Sequence, residues 1–196
     1  MTGSRIGWAT AGVVLLVAAA RLWATHRSGD ASGTTTTVSI LAVLLVIVAT
    51  LAWAVRAAGR CARNAARHRP GALVVPGFTT AEMPRLADAA GARAKGWLTT
   101  GGSPVAIVAV PGGFEVWGPR DAAPRWTVRA VPGGVAVREA VFGSRRAPAV
   151  WLSDGAAQAA LMPAYRPLRA TGGRVGADVQ RAVDELTSAV GAGRDG

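Results

Sequence analysis

The chain has 196 residues, 51% of them hydrophobic, and a formal net charge of +11. Residues 1–69 hold eight arginines and one acid, a balance of +7, and residues 70–196 hold fourteen basic residues and ten acids, a balance of +4. A single cysteine, Cys61, excludes an internal disulfide and a cysteine-cluster metal site. Because the positive charge is concentrated beside apolar sequence, it suits anionic lipid headgroups, and we predict no nucleic-acid partner.

The first apolar stretch covers residues 6–23 and contains one charge, Arg21, near its end. Trp8 and Trp23 stand at its two ends, where indole side chains favour the membrane interface. We predict a transmembrane helix here. A cleaved signal peptide is the alternative, because Arg5 precedes the apolar core and small residues follow it.

The second apolar stretch covers residues 38–55 and carries no charge. Eighteen helical residues span about 27 Å, close to the ~30 Å hydrocarbon core of a bilayer. Residues 24–37 form a short polar segment rich in turn-forming residues. The sequence therefore predicts a transmembrane hairpin over residues 1–55, with 24–37 as its connecting loop.

A basic segment, residues 56–70, follows the second stretch. Its arginines recur at intervals of four, three and four, which places them on one face of a helix ending near Arg69-Pro70-Gly71. The positive-inside rule then predicts a multi-pass protein of the plasma (inner) membrane with both termini in the cytoplasm. The residues predicted to contact anionic lipid headgroups are Arg56, Arg60, Arg63, Arg67 and Arg69.

Two smaller features near the membrane segment leave alternatives open. Gly3, Gly7 and Ala11 form a small-residue stripe that suits homodimerisation, packing of the two spans on each other, or neither. Cys61 lies among arginines, which would lower its thiol pKa and permit a redox or acylation role. An incidental small residue is the alternative reading of Cys61.

Residues 71–95 read as a lead-in to the folded domain, with a strand over 71–78 and a helix over 79–91. Thr79 followed by Glu82 fits a capping box at the start of that helix.

From Lys95 the hydrophobic period changes to two. Three turn signals, at 111–113, 132–134 and 153–155, each lie between strand-like segments and predict three hairpins. A further short strand is predicted at 96–98. The predicted strand pairs are 105–110 with 114–117, 126–131 with 135–141, and 150–152 with 157–161.

The chain closes with an amphipathic helix over residues 177–190, followed by a tail, 192–196, predicted to be disordered. The apolar side of the helix recurs at i, i+3, i+4, i+7 and i+11 and should face the core. Its members are Val179, Ala182, Val183, Leu186 and Val190.

The Pro-Gly-Gly hairpins, the GFEVWG segment at 113–118, the strand of Trp126 and the terminal helix together resemble a pleckstrin-homology-like domain. The whole chain resembles a bacterial two-helix membrane protein with such a domain in the cytoplasm. The resemblance implies a pleckstrin-homology-like antiparallel β-barrel or sandwich over residues 96–191. It also implies that the terminal helix plugs one open end of the barrel. The fold class predicted is two transmembrane helices plus this α+β domain.

No catalytic, metal-binding or phosphate-binding motif is present in the sequence, and we predict no enzyme activity, cofactor or metal. Glu115 and Glu139 fall in strands, where an outward-facing, solvated side chain is expected. The phosphoinositide-binding relatives that the resemblance implies carry basic residues around the first hairpin loop, whereas residues 110–114 contain none. Arg145 and Arg146 are the remaining candidate loop for headgroups or a partner.

The predicted function is a membrane-anchored, non-enzymatic interaction or scaffold protein whose partner is an unknown membrane or cytoplasmic protein. The first alternative is a tethered domain that binds lipid or a small ligand. The second is an auxiliary subunit of a transport or envelope-synthesis complex.

Overall fold

The computed structural model describes residues 31–92, 96–166 and 176–192. The chain divides into two compact units, Met1–Trp53 and Ala54–Gly196. A 38-residue helix, α1 (Ala31–His68), supplies all that is described of the first unit, and its last turns belong to the second.

Seven strands and two further helices of the second unit follow α1. The strands form one antiparallel sheet of order β4-β3-β2-β1-β7-β6-β5. In chain order the elements are β1 (Val74–Thr79), α2 (Met83–Ala89), β2 (Pro104–Val110), β3 (Gly113–Trp117), β4 (Trp126–Arg129), β5 (Val135–Phe142), β6 (Arg145–Ser153), β7 (Gln158–Pro163) and α3 (Gly176–Ala192).

In the ranges given above, no helix meets the length and hydropathy that crossing a membrane requires. The predicted two-span fold class, the membrane anchor and the multi-pass location in the inner membrane are therefore wrong. Residues 38–55 are the middle of α1, which begins at Ala31 inside the predicted polar loop. Helix propagation costs little once a helix has nucleated, so threonine-rich sequence at the start of α1 joins it. The first predicted span, 6–23, lies outside the described residues.

The sheet curls so that strands distant in its order come together. β4 contacts β6, and the indole Nε1 of Trp126 donates a 3.1 Å hydrogen bond to the carbonyl of Gln158. The backbone N–H of Arg129 also donates to the Asp154 carboxylate at 2.8 Å. These bonds tie β4 to the turn after β6 and to the first residue of β7.

The two faces of the sheet pack against different helices: α2 and α3 contribute to the main core, and α1 covers the other face. The alternation of side chains along β2 shows this division. Val105 and Ile107 join the main core with Leu186 of α3, whereas Ala106 and Val108 pack beneath α1. The predicted apolar side of the terminal helix is confirmed as its packing face. Three of its members are fully buried and two partly buried: Val179, Ala182 and Leu186, then Val183 and Val190.

The three predicted hairpins have different outcomes. β2 pairs with β3 and β6 pairs with β7, which confirms the first and third. The second is wrong, because β4 pairs with β3 and β5 pairs with β6. The Val131–Gly134 turn does form, but Ala130 donates to the carbonyl of Gly112 and Gly134 accepts from Ser153. Each arm of this turn therefore already bonds to another strand.

The predicted lead-in contains the central strand of the sheet, since β1 lies between β2 and β7. The predicted capping box does not form. Thr79 belongs to β1 and its hydroxyl accepts from the N–H of Ser103, while the Glu82 carboxylate accepts from the N–H of Val141. Both side chains are used in tertiary contacts, so α2 begins only at Met83. Within the part of the chain described, 96–98 is not a strand.

Candidate functional site

The last four turns of α1 have a charged side and a side that packs on the sheet. Arg56, Arg60, Arg63 and Arg67, called the arginine face below, are all exposed. They follow one side of the helix over about 16 Å, at 1.5 Å per residue. Among the residues that the structure describes, none of the four forms an ion pair with a carboxylate. Nε of Arg67 donates a 3.4 Å hydrogen bond to the carbonyl of Arg63, which leaves both Nη atoms of Arg67 free of carboxylates within the described part of the chain. The four guanidinium groups are therefore available to an acidic partner.

The opposite side of these turns carries small residues that are almost fully buried: Ala57, Ala58, Cys61 and Ala65. Cys61 and Ala65 pack against Ala106, Val108 and Trp117 of the sheet. Small side chains let the helix approach the strands closely. Because this side of the helix packs on the sheet, the arginines on the opposite side face outward.

Arg69 does not join the arginine face, because it turns toward the sheet. Its guanidinium binds the Glu115 carboxylate through two nitrogens, with Nη2–Oε1 at 2.7 Å and Nε–Oε2 at 3.0 Å. Glu115 is only 7% exposed, and it also accepts a 3.0 Å hydrogen bond from Nε1 of Trp117. The hydrogen bond to Glu115 raises the pKa of Arg69 above its ordinary value. This cluster, Arg69–Glu115–Trp117, fixes the end of α1 on β3.

Two further contacts secure the same junction. Nδ2 of Asn64 donates a 2.8 Å hydrogen bond to the carbonyl of Asp121, in the loop between β3 and β4. The Asp121 carboxylate in turn binds Nε of Arg125 at 2.7 Å and accepts from the N–H of Gly118 at 2.6 Å. The helix ends as predicted from Arg69-Pro70-Gly71, since α1 stops at His68 and Gly71 has a φ of 80°.

Cys61 is not an activated thiol. Its side chain is fully buried, and its S–H donates to the carbonyl of Trp117 at 3.3 Å. Burial raises the pKa of the Cys61 thiol to about 12. The expectation of a lowered pKa is therefore wrong, because burial and the nearby Asp121 carboxylate both disfavour the thiolate and together outweigh its attraction to Arg125.

We expect Cys61 to react slowly with alkylating reagents at pH 8 in the folded chain, and at an ordinary rate after unfolding. Folding raises the thiol pKa from 9.0 to about 12. The thiol therefore makes its full contribution to the free energy of unfolding below about pH 9. That contribution is lost as the pH rises from about 9 toward 12, because the unfolded chain gives up its thiol proton first. The measurements are alkylation rates and unfolding curves at several pH values, with Cys61→Ala as control. Equal rates for the folded and unfolded chains would contradict the assignment.

The other predicted site residues lie elsewhere. Arg145 and Arg146 begin β6, directly after a turn at Gly143, and both are exposed. α1 packs on β2 and β3 instead, so the structure does not place these two arginines in its interface. Gly3, Gly7 and Ala11 lie outside the described residues.

Sequence reasoning missed Glu115, for which a solvated position was expected. A signal was available in the GFEVW strand, where Glu115 is the only charged residue and lies two positions before Trp117. Residues two apart share a face of a strand, so a carboxylate beside a large aromatic suggested a buried, paired acid. Glu139 does lie exposed on β5, as expected.

Comparison of the chain with family models, with curated proteins and with solved structures gave no match in any of the three.

Proposed function

We propose that the chain is a non-enzymatic interaction module that binds an acidic protein surface through the arginine face. The observation that carries the proposal is the segregation on α1. Four exposed arginines line one side of the helix, and four buried small residues line the other. The buried side is occupied by the sheet, so only the charged side is free to bind.

The chemistry of the face favours carboxylates. Guanidinium groups pair with carboxylates through two parallel hydrogen bonds, and arginine loses less freedom on binding than lysine does. The anchor cluster of Arg69, Glu115 and Trp117 shows this pairing within the chain itself. Because that cluster fixes the helix end, the positions of the four arginines along the helix are set before a partner arrives.

The pleckstrin-homology-like assignment remains part of the proposal. It is supported by the seven-stranded antiparallel sheet and by α3, which packs against β5, β6, β7 and β2 after the last strand. An interaction role rests on the arginine face and does not depend on that assignment.

The test is binding of a fluorescent polyglutamate peptide, measured by anisotropy at several salt concentrations. Replacing Arg56, Arg60, Arg63 and Arg67 by glutamine should weaken binding at least about tenfold at low salt, since several close ion pairs are lost. The difference should shrink at physiological salt, where the Debye length is about 8 Å.

The matched control replaces four exposed arginines of other elements with glutamine and so removes the same charge: Arg85, Arg129, Arg145 and Arg146. It should retain most of the affinity. Equal losses in both variants would show attraction to net charge alone and would contradict the proposal. A larger loss in the control would favour the β5–β6 tip, where Arg145 and Arg146 are exposed, as the binding site.

A further inference from the structure

β5 is the last strand in the sheet order, so its backbone bonds to a neighbouring strand on one side only. Its register with β6 pairs Val135 with Leu152, and the N–H of Ser153 donates to the carbonyl of Gly134. In an antiparallel pair, alternate residues bond across to the partner strand. The even-numbered residues of β5 therefore bond to β6, and the odd-numbered ones direct their N–H and C=O groups outward.

At one end of this outer edge the backbone groups are already hydrogen-bonded. The N–H of Val141 donates to Oε1 of Glu82 at 2.9 Å, and its carbonyl accepts from the N–H of Ala81 at 2.8 Å. These bonds agree with the outward direction deduced above. Within the described ranges, the backbones of Val135, Val137 and Glu139 have no such partner. The free part of the edge is thus three alternate residues long and is centred on Val137.

A free edge of three positions is complementary to itself. In an antiparallel pair around a two-fold axis at Val137, that residue lies opposite Val137 of the second copy, and Val135 lies opposite the second copy's Glu139. Each such pair exchanges two hydrogen bonds, so about six would form. Every free position on both edges is then used.

The side chains select this register. Val137 is 44% exposed, and the pairing covers it with the same residue of the other copy. Arg138 lies opposite an alanine, Ala136 of the second copy, so no like charges meet. A pair centred on Arg138 would oppose two arginines and use only two positions. A pair centred on Glu139 would place two glutamates opposite each other. It would also require the backbone N–H and C=O of Val141, which already bond to Glu82 and Ala81.

We propose that two copies of this chain associate through the outer edges of β5, paired antiparallel around Val137. This surface is separate from the arginine face, and the proposal does not rest on the function proposed above.

The first test uses the full chain with Val137→Cys. Directly opposed residues of a hydrogen-bonded pair have Cα atoms about 5.5 Å apart, within the range of a disulfide. A mild oxidant should therefore convert this variant to a disulfide-linked dimer, while buried Cys61 stays reduced. Asp88→Cys, at an exposed position on α2, is the control and should remain monomeric. Equal cross-linking of the two variants would overturn the proposal.

The second test measures the mass of the full chain by light scattering up to about 100 µM, a range that detects micromolar association. Val137→Asp places two carboxylates opposite each other and should weaken the dimer at least about tenfold. Val137→Thr keeps the branched shape and the N–H and should dimerise like the unaltered chain. A monomeric unaltered chain, or a dimer that Val137→Asp leaves intact, would overturn the proposal.

Discussion

Replacing Glu115 with alanine should lower the free energy of unfolding by about 2–4 kcal/mol. The carboxylate is buried and accepts hydrogen bonds from both Arg69 and Nε1 of Trp117. Its removal leaves the indole N–H without its acceptor and breaks the ion pair that ties Arg69, just after α1, to β3. Denaturant unfolding at neutral pH, followed by tryptophan fluorescence, measures the change.

Two variants separate this effect from the loss of a charge. Glu139→Ala removes a carboxylate from an exposed position on β5 and should change stability by less than about 0.5 kcal/mol. Glu115→Gln keeps an acceptor for Trp117 and should fall between the two. If Glu115→Ala were no more destabilising than Glu139→Ala, the anchor cluster would not hold α1 in place.

Replacing Leu186 with alanine should destabilise the chain by about 2–5 kcal/mol, because it opens a cavity where α3 meets the sheet. Leu186 is fully buried, together with Val179 and Ala182 on the same side of the helix. The loss should appear in a single cooperative transition, since α3 contacts four strands of the one sheet.

The neighbouring residue supplies the control. Thr187 is exposed, and alanine has the higher helix propensity, so Thr187→Ala should be neutral or slightly stabilising. A small effect of Leu186→Ala, or a separate early transition of α3, would mean that the helix docks weakly on the sheet.

The elements with a clear local pattern were predictable. The apolar spacing of the terminal helix identified its buried side, and the turns at 111–113 and 153–155 identified two hairpins. The similar turn at 132–134 gave a wrong prediction. It joins β4 to β5, but β4 pairs with β3 and β5 pairs with β6. Turn chemistry specifies where a chain reverses, whereas strand partners depend on side-chain packing across the sheet.

The candidate site was predictable only in part. The intervals between Arg56 and Arg67 placed four arginines on one helix face, and all four are exposed. Arg69 was assigned with them, yet it binds Glu115, a residue 46 positions later in the chain. No local pattern relates two such positions.

The sequence by itself determined the helical phase of the arginines, the stop after His68 and the apolar side of α3, because each depends on residues within a few turns. The tertiary structure decided what each surface meets. It placed the small-residue side of α1 on β2 and β3 and turned Glu115 inward. It also left part of the β5 edge without a backbone partner among the described residues. Burial and hydrogen bonding between distant segments are set by the fold as a whole, and local propensity cannot specify them.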